Sequence, residues 1–415
     1  MKINKNKRIR RIVWNRLCFS IAIIFLIRFG TFLPIPGVKP SDLAFYIQRH
    51  SVTESLIRIF TGENTFVVGL FTLNIFPYIN ATILVQLLVA ISPKLANLKK
   101  EGDLESRSTI NRLTRSVTLV LALFQSLSIS LYLKQILFNW NYILGFEIII
   151  WLTTGTMIIL WLSELITEYG LGNGSSLLIY ASIIANFPNF YKKALMTNES
   201  NISAATLFEI ILVILISLYG IIFLQEGVRK IPLISARQLN QFSVQKNVDY
   251  YIPLRFNQAG VMPIILATTF LVLPNAFINL GLFPSLSFLS SLKFLYWGGY
   301  FSLILLSSAF YSEIVINPKE LSGQLQKMTV IIEGVRPGLE TTFYLQRIIK
   351  RITLIGSSIL AIIAIMPNFI GSTLSINGLA GLSTTSLLIL AGVILDLIQE
   401  INNIYYSNIY NSMDK

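Results

Sequence analysis

The chain of 415 residues is 53% hydrophobic and only 13% charged, with a mean hydropathy of +0.66, which excludes an ordinary soluble domain and marks an integral membrane protein. One cysteine, Cys18, and one histidine, His50, exclude an intramolecular disulfide framework and a Cys/His metal cluster. A net charge of +13 fits either nucleic-acid binding or the basic loops of a membrane protein, and the second reading holds if the charges sort to one side.

The amino terminus, MKINKNKRIRRIVWNR, is basic, and the apolar segment after it runs through Pro34 and Pro36 without a small-residue cleavage site. It is expected to be a first span and not a signal peptide. A crossing helix needs about 20 apolar residues, and nine segments qualify directly: 17–36, 71–92, 116–134, 146–167, 205–225, 258–280, 295–316, 348–370 and 382–400. The stretch GLGNGSSLLIYASIIANFP, at 170–188, is harder to place. As a helix, 175–187 covers only about 20 Å of a hydrocarbon core of roughly 30 Å.

Charge decides whether it crosses. With ten spans and the amino terminus inside, the inner segments hold twenty-five Lys and Arg and the outer segments seven, with Arg28 within the first span. Without the doubtful span, the two most basic later loops, 226–257 and 317–351, would lie outside. The stretch is therefore expected to cross, and its shortness predicts a helix that lines a cavity instead of lipid. Ten spans divide into two halves of five, 1–192 and 193–415, and an odd number per half gives an inverted repeat. The expected fold class is all-α and polytopic, with ten transmembrane helices in two inverted five-helix halves.

There is no phosphate-binding glycine loop, no HExxH, and no nucleophile and base pair in the spans, so no enzyme is expected and neither a metal nor a cofactor. A ten-span secondary transporter is the competing reading. Coupled transport calls for ionisable groups near the midplane, whereas Arg28, Glu164 and Asp396 lie toward span ends, where snorkelling is cheap. The second span carries only Asn74, Asn80 and Gln86 as polar residues of this kind. That pattern fits a pore better than a proton relay.

The first basic loop, QEGVRKIPLISARQLNQFSVQKNVDYYIPLRFNQAG, alternates apolar residues with Arg and Lys and predicts a hairpin reaching into the cytosol. The second contains VIIEGVRPGLETT, in which Arg336, Pro337 and Gly338 predict a stiff exposed turn. Two readings of these loops stand side by side: positive-inside charge alone, or a docking surface for a large cytosolic partner such as a ribosome or a motor.

Taken in order, RFGTFLPIPGV, IFPYINATILVQLL, LVLALFQS, ITEYGLGNGSS, NQAGVMPIILA, NPKELSGQLQK and GVRPGLETT resemble the SecY family, the central subunit of the Sec protein-conducting channel, over nearly the whole chain. The resemblance implies a clamshell around an hourglass pore that passes unfolded preproteins across the membrane and releases hydrophobic segments laterally into lipid. It implies a pore ring at Ile75, Ile79, Ser175, Ile179, Ile265 and Ile389, where an apolar collar dewets and blocks ions. Ser175 stands where the family often has isoleucine, so the expected collar is locally smaller and more polar. The resemblance also implies a plug at about 55–70, here SLIRIFTGENTFVVGL, which is poor in small residues.

Spans two, three, seven and eight resemble the lateral gate, on which Gln86 and Gln125 are polar. These side chains either hold the gate shut, by about 1 kcal/mol each, or serve as ordinary interhelical glue. Arg229, Lys230, Arg237, Arg255 and Arg336 match the family's docking surface for the SecA ATPase or the ribosome. Implied partners are a SecE-type subunit and a SecG-type subunit, with preproteins as substrates and lipid as surroundings. Richness in Ile, Asn and Lys looks plastid-encoded or cyanobacterial-like, which places the chain in a thylakoid membrane with its basic loops on the stromal side; a bacterial inner membrane is the alternative.

Overall fold

The computed structural model describes residues 2–37, 69–92, 94–96, 98, 104–134, 140–196, 204–235, 250–258, 260, 262–267, 293–373 and 384–410. Most of the expected plug, as well as Arg237, lies outside the described residues. The chain forms two compact units, Met1–Asn189 with Val393–Lys415, and Phe190–Gly392.

The first unit contains α1 (Lys2–Thr31), α2 (Phe76–Ile91), α3 (Leu104–Leu133), α4 (Tyr142–Tyr169) and most of α5 (Gly174–Met196). Here α3 packs on both α2 and α4, and α1 packs on α4. The way α3 packs shows what surrounds it. Its buried face is a stripe of small residues four apart, Thr114, Thr118, Ala122, Ser126 and Ser130, while Leu119, Val120, Leu123, Phe124, Leu127 and Leu131 face outward. Small residues let helices approach closely, and large apolar side chains pointing away from the protein suit lipid and not water. The hydroxyls of Thr114, Thr118 and Ser126 each donate to a carbonyl of their own helix.

The fifth crossing is longer than the sequence reading allows. Helix α5 continues through position 188 to Met196, and its 23 residues span about 34 Å, enough for the hydrocarbon core. The expectation of a helix ending near 187 is corrected: the helix runs on to Met196. The glycines before it have separate causes. Gly172 takes φ +81, and a Cβ on Gly174 would collide with the Ser163 carbonyl of α4. Thr167 Oγ1 accepts a hydrogen bond from the Gly174 amide at 2.9 Å and closes the turn.

The second unit contains α6 (Ala204–Glu226), β1 (Val228–Ser235), β2 (Tyr251–Arg255), a helical segment at 262–267, α7 (Lys293–Val315), α8 (Pro318–Lys327), β3 (Val330–Ile332) and α9 (Leu339–Thr373). The last helix, α10 (Thr384–Tyr410), begins in this unit and ends in the first. One apolar core joins Ile221 and Leu224 of α6, Ile264, Tyr300 and Ile304 of α7, and Leu360 of α9.

The expected hairpin is present as β1 and β2, with Val228 opposite Arg255. It does not stand alone: β3, from the second basic loop, adds to the other edge of β1, giving the order β2-β1-β3. Among the described residues one small sheet thus unites both basic loops. Helix α9 supports it. Its 35 residues span about 52 Å, far more than a crossing needs, and Leu345, Ile348, Ile349 and Ile352 pack under Ile231, Leu254 and Ile332.

Among the described residues, five helical segments are long and apolar enough to cross a membrane: Arg11–Thr31, Glu105–Leu131, Tyr142–Tyr169, Trp297–Lys327 and Leu339–Met366.

Candidate channel lining and cytosolic docking face

In the first unit the second span does not run as helix from its start. Residues 71–75 form hydrogen-bonded turns, Asn74 adopts φ +49, and Ile75 caps α2 at φ −91, ψ 0, with Pro77 in the first helical turn. Proline fits there because its missing N–H would have no partner. The amides of Tyr78 and Ile79 both donate to the Ile75 carbonyl, at 3.1 Å each. Two expected ring residues, Ile75 and Ile79, therefore occupy the first turn of a 16-residue helix, and both are buried. The link before them is also fixed, since the Leu70 amide donates to the Leu33 carbonyl at 2.9 Å and Gly69 pairs with Pro34.

Helix α5 carries Ser175 and Ile179, both half-buried. The Ser175 hydroxyl donates to Asn173 Oδ1 at 2.8 Å, and the same oxygen accepts from the Ser175 amide at 3.2 Å. Asn173 thus caps the helix and Ser175 belongs to its first turn. Asn74 Nδ2 donates to Ser182 Oγ at 2.6 Å, which sets Ile75 level with a point seven residues farther along α5, about 10 Å from Ser175. The bond ties the residue before Ile75 to the turn of α5 that follows Ile179.

Arg28 and Glu164 lie near the ends of their helical spans, as expected, and each has a partner in the protein: Arg28 Nη2 donates to the Ala181 carbonyl at 2.8 Å, and Glu164 accepts two hydrogen bonds from Arg115. Gln86 and Gln125 are half-buried on α2 and α3, helices that pack on each other, and among the described residues no hydrogen bond joins the two amides.

In the second unit, Ile265 lies in the helical segment 262–267 and Ile389 in α10, each half-buried. Two hydroxyls fasten that segment: Ser307 donates to the Pro263 carbonyl at 3.0 Å, and Ser312 donates to Gln258 Oε1 at 3.0 Å beside Thr353. On the sheet, Arg229 and Lys230 of β1 and Arg255 of β2 are exposed, with the Lys230 ammonium 4.8 Å from the Tyr251 ring centroid. Arg336 is exposed in the turn after β3. Its carbonyl accepts from Thr341 Oγ1 at 2.7 Å, and Gly334 and Gly338 take φ +77 and +108 around it. Pairing of β1 with β3 puts Arg229, Lys230, Arg255 and Arg336 on one structural element, which neither loop shows by itself. Among the described residues no cluster of His, Cys, Asp or Glu could hold a metal ion.

The family model of SecY matches residues 69–398. The chain belongs to the SecY family. It is 55% identical over 412 residues to the protein translocase subunit SecY of Trieres chinensis, covering 96% of this chain and 97% of that one. The SecY subunit of Guillardia theta is 41% identical, with 96% of each chain covered, and that of Synechocystis sp. 35%, with 96% and 94% covered. Solved structures share the fold. A protein-conducting channel superposes with a TM-score of 0.64 at 17% identity, and Sec61 from a canine ribosome-channel complex with 0.62 at 16%; each comparison covers 96% of this chain and 94% of the other. This SecY chain is the central pore subunit of a protein-translocating channel, a multi-pass membrane protein working in a channel complex. The transporter alternative falls with that assignment. The contact between Asn74 and Ser182 is one that sequence reasoning does not reach; its local signal is a lone amide just ahead of Ile-Phe-Pro.

Proposed function

We propose that this chain passes unfolded preproteins through a collar that includes Ile75, Ile79, Ile179, Ile265 and Ile389, and releases hydrophobic segments sideways into lipid. The observation that carries the reading is the interrupted second span, which ends its turns on two buried isoleucines at the head of α2. An apolar constriction of this kind sheds water and ions while binding no particular sequence. Ser175 enters the proposal as a helix-cap residue on the approach to the collar, and the segment at about 55–70 as the plug. Gln86 and Gln125 are proposed as lateral-gate polar residues.

The sheet supports the second part of the reading. Arg229, Lys230, Arg255 and Arg336, with Arg237 in the same loop, are proposed to dock the SecA ATPase or a ribosome, whose acidic or phosphate groups complement them. A SecE-type subunit and a SecG-type subunit complete the proposed complex. Energy comes from the partner, and no covalent chemistry is assigned to this chain. The thylakoid membrane, basic loops on the stromal side, is the proposed location, supported by the algal and cyanobacterial relatives.

The test is reconstitution of the purified complex in vesicles with SecA, ATP and a radiolabelled preprotein. Protease-protected preprotein that depends on this chain, together with a raised resting ion leak in Ile79→Gly, is the expected result. Translocation with an unchanged leak in Ile79→Gly would remove the collar.

A further inference from the structure

Asn74 and Ser182 form a polar contact next to the collar that a merely apolar seal does not require. The Ser182 hydroxyl spends its one proton on the Leu178 carbonyl, at 2.9 Å, and so faces Asn74 as an acceptor. The Asn74 amide fills that position at 2.6 Å. Arg28, from α1, donates to the Ala181 carbonyl at 2.8 Å, one residue earlier on α5. Arg28, Asn74, Ala181 and Ser182 all border one cavity of about 10 Å³, too small for more than a single water.

We propose that Asn74, Ser182 and Arg28 are positioning residues of the seal: they fix the depth of Ile75 and Ile79 relative to Ile179. Asn74 directly precedes Ile75, and its φ of +49 is a conformation that asparagine tolerates and most side chains resist. The amide bond therefore holds in place the one residue that orients the head of α2. On α5 its partner, Ser182, lies three residues beyond Ile179, one turn along the same face. Arg28 fixes that same turn from a third helix. Three elements are thus locked at one level by side-chain bonds, and that level is where the two collar isoleucines of α2 begin. The inference rests on the collar reading above.

The experiment measures resting ion leak of the reconstituted complex for Asn74→Gly, Ser182→Ala, Arg28→Gln and Ile79→Gly. Glycine accepts φ +49, and Ser182→Ala removes only a hydroxyl, so both preserve the backbone. Each is expected to raise the leak about fivefold, the equilibrium shift of one lost hydrogen bond. In a Cys18→Ala background, Ile79→Cys should react faster with an impermeant thiol reagent when Asn74→Gly is added. An unchanged leak in Asn74→Gly and Ser182→Ala beside a leaky Ile79→Gly would overturn the positioning role and leave the collar standing. A tight Ile79→Gly would overturn the collar and the inference with it.

Discussion

Arg115 on α3 grips Glu164 on α4 in a two-pronged ion pair, with Nε to Oε1 and Nη2 to Oε2 both at 2.8 Å. The side chains are 51% and 32% exposed, so solvent screens the attraction and the pair contributes at most about 1 kcal/mol. Its geometry is what a fork against a carboxylate supplies. Arg115→Lys is therefore expected to lower the thermal midpoint of the purified complex by as much as Arg115→Ala, because a single ammonium cannot make both parallel bonds. A lysine variant matching the parent would show that charge alone holds α3 to α4.

Gly155 marks the closest approach of α4 to the link ahead of α2. A Cβ there would overlap the Leu70 carbonyl oxygen, a backbone atom that cannot rotate aside. Gly155→Val should cost about 1–3 kcal/mol as overpacking. The loss should concentrate at the link, seen as faster hydrogen exchange of the Leu70 amide now bonded to Leu33.

The short strand β3 is expected to depend on one side chain. Ile332 is buried in the core beneath the sheet and stands opposite Leu233 of β1. Ile332→Ala removes buried methylenes at a cost of about 2–5 kcal/mol. Amides at 233–235 should then exchange faster, while the β1–β2 pairs from Val228 to Pro232 keep their protection.

Arg336→Glu tests docking without disturbing the fold, since the side chain is exposed and only the Arg336 carbonyl is engaged, by Thr341. Losing a charge-assisted contact of about 1.5–3 kcal/mol corresponds to a fall in partner affinity of about tenfold or more. SecA binding and translocation should drop together, with an unchanged melting curve, and the difference from the parent should shrink at high salt.

Some of this was legible in the sequence for plain physical reasons. NPKELSGQLQK announces α8, because Asn317 caps it by accepting from the Lys319 amide, Pro318 opens it and Lys327 closes it. The alternation in 228–235 announces β1. Nothing local announces that β3, three residues long and far along the chain, completes the same sheet; that pairing is decided by the apolar face of α9 beneath both. The length of α5 is hidden because Pro188, Asn189 and the pair Lys192 and Lys193 break the apolar pattern while the helix continues to Met196. Arg28 reads as a snorkelling end residue until its partner, a backbone carbonyl 153 positions away, is known.

Ser175 offers the sharpest contrast between position in sequence and position in space. Homologous placement makes it a polar gap in the collar, and Ser175→Ile should then tighten the seal. The structure engages its hydroxyl with Asn173 and sets the start of α2 beside Ser182, about 10 Å along α5. Because the Ser175 hydroxyl is taken up by Asn173 in the cap, Ser175→Ile is expected to leave the resting leak unchanged, and to cost only a few tenths of a kcal/mol in helix propensity, since Asn173 still caps through the amide of residue 175. Ile179→Gly, one turn nearer to Ser182, should raise the leak in the same assay. A tighter channel in Ser175→Ile would mean that the constriction extends at least one turn toward the Asn173 end of α5.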